Sequence, residues 1–155
     1  MLTSWRITQR SHGRTAFNGE GARIYGGRWN SVGTPVIYTA ESQALAVLEM
    51  LAHMDSPELL KRYVLFEVQF SEALVRELRK SMLPRSWKSD PVPRAAQAVG
   101  DEWVRAGKSA VLAVPSVLVP GEKNYLLNPR HEDFKQVKIG KAQPYEVDAR
   151  LARKR

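Results

Sequence analysis

The chain contains no cysteine, which excludes a disulfide scaffold and any thiolate metal centre and is compatible with a reducing compartment. Its three histidines, His12, His53 and His131, show no H-E-x-x-H or comparable spacing, so no metal is expected. Long apolar runs are missing too. No stretch spans a bilayer, and the opening "MLTSWRITQRSHGR" lacks the apolar core of a signal peptide. The expectation is a soluble, cytoplasmic protein that does not engage membrane. Two signatures of chemistry are also absent. No G-x-G-x-x-G opens a helix, and no G-x-S-x-G elbow surrounds Ser116, which argues against a serine hydrolase. There is no internal repeat, low-complexity tract or long linker.

What remains is an ordinary globular composition, with 43% hydrophobic and 26% charged residues. A length of 155 residues fits one domain that buries its own core. The formal net charge is +8, which favours polyanionic partners: nucleic acid, phosphate-bearing ligands or an acidic protein. The charge is spread along the chain, with a small cluster in the closing "ARLARKR". A merely solvated basic surface explains it equally well.

Strands are expected at 5–8, 35–40, 62–70, 109–117 and 136–140. The third alternates, with Val64, Phe66, Val68 and Phe70 on one face. A helix is expected over 42–54, capped by Thr39 or Ser42. A second is expected over 93–107, between Pro93 and Gly107. The stretch from 71 reads as a short helix broken at Pro84. Mixed strands with a few flanking helices make an α+β domain with mixed central sheets.

Three places stand out chemically. On the first helix Leu45, Leu48 and Ala52 define an apolar stripe, and Glu49 falls inside it. A carboxylate there is costly to bury unless paired; it either reaches water, pairs with His53 one turn later, or marks a site. In "GARIYGGRWNSVGTPVIYTAES", Gly26 and Gly27 permit positive φ and close backbone approach. Arg28 is thereby presented at the rim of a cleft, where a guanidinium binds phosphate or carboxylate in a fork. An ordinary hairpin with Trp29 in the core is the alternative. In "AVPSVLVPGEKNYLLNPRH", a strand leads to Ser116, and Asn124, Asn128 and His131 follow around turns at Pro120-Gly121 and Asn128-Pro129. Plain turn chemistry also accounts for these residues.

Arg28 in "GGRWNSVGTPVIYTAES", Glu49 in "ALAVLEMLAH" and Ser116 in "VPSVLVPGEKNYLLNPRH" resemble, in that order, the RES domain, a family named for its arginine, glutamate and serine. "GDEWVRAG" and "PYEVDARL" also look like that family, and the similarity runs from about Trp5 to about Leu151, leaving a basic tail at 152–155. The resemblance implies a fold similar to ADP-ribosyltransferases and the role of toxin in a toxin–antitoxin pair. It implies NAD+ as substrate rather than cofactor, cleaved at the nicotinamide–ribose bond with water, phosphate or a protein as acceptor. It also implies an Xre-type helix-turn-helix antitoxin as partner, DNA contact only through that antitoxin, and a homodimer.

On this reading Glu49 stabilises the oxocarbenium-like ribose. Arg28 holds the phosphate or ribose side, and Arg6 in "WRIT" shares that work. Tyr38 stacks on the nicotinamide ring, and Ser116 and Asn128 orient the substrate. A rival of another class is a small basic ribonuclease or RNA-binding protein. It would use the three histidines as acid–base groups and Trp5, Trp29 and Trp87 as stacking surfaces. A non-catalytic interaction protein of the same fold is a third reading.

Overall fold

The computed structural model describes residues 1–54 and 62–152. In chain order the elements are β1 (Leu2–Gln9), α1 (Glu20–Tyr25), β2 (Ile37–Ala40), α2 (Gln43–Ala52), β3 (Tyr63–Phe70), β4 (Val75–Glu77), α3 (Arg94–Ala106), β5 (Val111–Pro115), β6 (Lys123–Leu127), β7 (Lys138–Ile139) and β8 (Gln143–Tyr145). The strands form one sheet in the order β4-β5-β6-β2-β1-β3-β7, with β8 also on β3. Among the described residues only the β4–β5 pair is parallel. The α+β class expected from the sequence is the one observed.

Both faces of the centre are covered, so its strands read as apolar runs rather than clean alternations. Val111, Ala113, Tyr125 and Leu127 enter one core cluster with Ile37, Val68 and Phe70. The alternate residues Leu112, Val114 and Leu126 enter another, built on Trp29, Ala96 and Trp103 under α3. Covering both faces also buries Tyr63 and Leu65, which the alternation of β3 places opposite its apolar set.

Helix α2 begins where Ser42 accepts the Leu45 N–H at 3.0 Å; of the two expected caps, Ser42 serves. Helix α3 ends at Gly107, which adopts the left-handed conformation at φ 59°.

Four local expectations are corrected. The segment after β3 is not a helix: Ser71 caps a short 3-10 turn over Glu72–Leu74, and Val75–Glu77 then pair with Val111–Ala113. Leu74 and Leu78 are both buried at helical spacing, but pairing to β5 decides the conformation. The expected strand at 136–140 shrinks to Lys138–Ile139, because Glu132–Gln136 is a 3-10 turn capped by His131. Lys123–Leu127, read as turn surroundings, is a central strand. Glu20–Tyr25, just ahead of the glycine pair, is an unexpected short helix.

One sheet boundary matters for function. β1 pairs with β3 over eight residue pairs but meets β2 at a single one, Trp5↔Ala40. Beyond it the two strands are joined by a side chain, as Arg6 Nη1 donates to the Tyr38 carbonyl at 2.8 Å.

Candidate active site

A cleft of about 1000 Å³ opens where β1 and β2 part, at the upper end of the range for small-molecule sites. β1 contributes Trp5 and Arg6 and β2 contributes Tyr38 and Thr39. Glu49 and His53 project from α2, Gly27 and Arg28 from the loop after α1, Lys88 and Asp90 from the loop before α3, and Asn124 from β6.

Glu49 is held half-buried on this wall. The buried stripe of α2 runs through Leu45, Ala46 and Met50. Leu48 is 43% exposed, and Ala52 is exposed as well, so the stripe expected through those two is displaced by one position. By helical spacing Glu49 projects between Leu45 and Met50, and with Ala46 it lines the cleft. Burial raises its carboxyl above the ordinary range, opposed in decreasing order by the His53 charge, a hydrogen bond with Asn124 and the Arg28 charge. A carboxylate, an arginine and a histidine therefore share one space.

Arg28 reaches that space through an anchored loop. Its Nη1 donates to the Trp87 carbonyl at 2.8 Å and the Ser89 carbonyl at 2.9 Å, which uses both Nη1 protons and leaves the Nε–Nη2 edge to meet a ligand. Trp87 is stacked on buried Trp29, ring centroids 5.8 Å apart. From α3, Asp101 accepts the Ser31 hydroxyl at 2.5 Å and the Ser31 N–H at 3.0 Å, and Gln97 donates to the Gly27 carbonyl at 3.2 Å. The glycine pair serves this anchorage and also lines the cleft. Gly26 ends α1 at φ 71°. At Gly27 a Cβ would lie 2.7 Å from the Tyr38 hydroxyl.

That hydroxyl accepts the Trp29 N–H at 3.0 Å and donates to Asn30 Oδ1 at 2.6 Å. Desolvation pushes its pKa well up, so Tyr38 is a neutral strut whose ring lines the cleft. Arg6 lies deeper. Its Nε is fully covered and finds no hydrogen-bond partner, the guanidinium sits 6.0 Å from the Phe17 ring centroid, and desolvation lowers its pKa to about 10. A covered, under-satisfied guanidinium bordering a cleft is a strong attractor for an anion.

Two expected site residues lie outside the cleft. Ser116 is buried, and its hydroxyl accepts the N–H groups of Leu118 at 3.1 Å and Val119 at 3.0 Å. It shapes the β5–β6 turn, whose neighbours Pro115, Val117 and Leu118 line the cleft. Asn128 is turned away because the Asn128-Pro129 turn uses its Oδ1 to accept the Arg130 N–H at 3.0 Å. It lines a separate recess of about 420 Å³ with Gly107 and His131. Asn124, four residues earlier on β6, does reach the cleft, as does Asn18; a polar residue inside the apolar run "KNYLL" was the available signal for Asn124.

The residues of the nucleic-acid reading converge only in part, since Trp5 and Trp29 line the cleft but Trp87 does not. Of the three histidines only His53 lines the cleft. His131 accepts the Asp133 N–H on Nδ1, so its Nε2 donates to the Gly107 carbonyl at 2.9 Å. Trp29 is buried in the core.

Sheet and cleft together define an α+β domain whose cleft gathers the carboxylates of Glu49 and Asp90 with the cations of Arg6, Arg28 and Lys88. The RES-domain family model matches residues 3–148, and the chain belongs to that family, which includes the Res toxins. It is 40% identical over 149 residues to the toxin Res of Yersinia enterocolitica serotype O:8 / biotype 1B, covering 95% of this chain and 97% of the relative. It is 39% identical over 161 residues to a Prs ADP-ribosylating toxin of Sphingobium sp. strain YBL2, covering 99% of each. The fold is also that of a chain in the M. tuberculosis MbcT–MbcA toxin–antitoxin complex, with a TM-score of 0.75, 22% identity, and coverage of 94% of this chain and 84% of that one.

Proposed function

We propose that this RES-domain toxin takes NAD+ into the β1–β2 cleft and breaks its nicotinamide–ribose bond. One observation carries the reading: Glu49 is desolvated in the same cleft as Arg28. Loss of nicotinamide leaves positive charge on the ribose, and a carboxylate fixed beside it in a half-dry site stabilises that charge far better than water-exposed carboxylate does. Arg28 and Arg6 supply two guanidinium groups for the pyrophosphate. The Tyr38 ring forms the wall against which the nicotinamide rests. Ser116 contributes through the turn it holds.

The name of the Sphingobium relative, an ADP-ribosylating toxin, supports NAD+ as the donor. Depletion of NAD+, or modification of a protein, then arrests growth in the cytoplasm. The toxin–antitoxin complex formed by the structural neighbour supports an antitoxin partner, which we take to be of the Xre helix-turn-helix type and to provide the DNA contact. We also take the toxin to be a homodimer.

The test is incubation of purified, antitoxin-free protein with NAD+, with and without phosphate, following nicotinamide and the ADP-ribose product. Release that disappears in Glu49→Gln and Arg28→Ala is expected. Phosphate dependence identifies the acceptor. Absence of release from folded protein overturns catalysis on free NAD+.

A further inference from the structure

His53 stands one turn beyond Glu49, at the C-cap of α2, and the function above leaves it unused. Its Nδ1 lies 2.7 Å from the Glu49 backbone carbonyl. A carbonyl oxygen only accepts, so Nδ1 carries the proton and the neutral ring keeps its lone pair on Nε2. Among the described residues no group pairs with Nε2, while the ring lines the cleft beside Glu49. A histidine serving only as a helix cap has no need to border a ligand cleft. This one has a fixed tautomer, a basic nitrogen that no described residue pairs with, and a carboxylate one turn away.

We propose that His53 is the general base that deprotonates the acceptor of the ADP-ribosyl group, an inference that rests on NAD+ cleavage in this cleft. The acceptor is a hydroxyl-bearing nucleophile: water, phosphate or a protein side chain. Its oxygen bonds to the anomeric carbon of the ribose. The carbon–nitrogen bond breaks, its electron pair enters the pyridinium ring, and neutral nicotinamide leaves. The acceptor's proton moves to His53 Nε2 and then to solvent, so atoms and charge balance. The imidazolium formed on the way is favoured twice, by the negative end of the α2 dipole and by the Glu49 carboxylate. Glu49 and His53 thus divide the work, one stabilising the sugar cation and the other activating what attacks it.

The test compares wild type, His53→Gln and His53→Ala for nicotinamide release, NAD+ affinity, thermal midpoint and rescue by added imidazole. The side-chain amide of His53→Gln can still donate to the Glu49 carbonyl, so its stability is expected to match wild type while kcat falls about 100-fold. His53→Ala is expected to bind NAD+ within about twofold of wild type and to recover rate roughly tenfold with imidazole, as a missing base allows. Full activity in either variant overturns the role. So does lost activity in His53→Ala that imidazole does not restore and that tracks a lowered thermal midpoint, the mark of a helix cap alone. Wild-type protein that releases no nicotinamide removes the NAD+ reading itself, a distinct result because it precedes any variant.

Discussion

Gly100 of α3 lies directly beneath the Trp29 carbonyl, so close that a Cβ built on it would sit 1.7 Å from that oxygen. No side-chain rotation relieves such a contact, because both partners are backbone. Gly100→Ala must push α3 away from the loop that carries Arg28, breaking the Asp101–Ser31 and Gln97–Gly27 bonds together. The expected cost is about 3 kcal/mol or more, read from denaturant midpoints. Nicotinamide release should fall with it, since Arg28 loses its platform. A variant of unchanged stability would show that the helix shifts freely.

The Tyr38 hydroxyl bridges Trp29 N–H and Asn30 Oδ1, and Tyr38→Phe leaves both without it. A loss of about 1–3 kcal/mol is expected for the unpaired groups. Because the ring remains, stacking on a ligand survives. The activity defect should therefore appear as a raised KM for NAD+, through the loosened Arg28 loop, more than as a lowered kcat. A kcat loss above about 100-fold with KM unchanged would make the hydroxyl a participant in the chemistry instead.

How far these arrangements were legible in the chain varies with the range of the interactions that make them. Glu49 was visible because a carboxylate beside an apolar helical stripe is anomalous on local grounds, though the stripe itself is displaced from Leu48 and Ala52 to Ala46 and Met50. Gly26, Gly27 and Arg28 announced a tight turn, but not that the turn is built around the Tyr38 hydroxyl and fastened to α3 some 70 residues later. "GDEWVRAG" contributed to the resemblance, yet the tasks of Gly100 and Asp101 depend on contacts no local pattern encodes. Ser116 and Asn128 sit in turn-rich sequence, and turn chemistry is what the structure shows them doing. The strand at 75–77 was missed for a similar reason, as its pairing partner lies on β5.

Ser116→Ala separates shape from chemistry. The hydroxyl accepts two backbone N–H groups, and its loss should cost about 1 kcal/mol. Activity should drop less than tenfold, because Leu118 and Val117 shift on the cleft wall while no reacting group is removed. A loss of about 100-fold or more at unchanged stability would place the hydroxyl at the reaction centre.

Glu49→Gln should lose activity and gain stability. On the first count, removing the charge that faces the ribose cation should cut nicotinamide release about 100-fold or more. On the second, burial raises the Glu49 carboxyl above its unfolded value, so the folded state prefers it protonated. Its ionisation is therefore a net burden on the fold. That burden grows as pH rises through the folded pKa and is absent below the ordinary value of the unfolded chain, where both states are protonated. Glu49→Gln should therefore melt above wild type at pH 7, and the gap should close as pH is lowered below about 4. Thermal midpoints of both proteins across that range check the sign. Glu49→Gln melting below wild type at pH 7, with the deficit closing toward acid, would mean that Arg28 and His53 outweigh desolvation in the folded protein, and that the carboxylate is held by its partners rather than exposed to the ribose.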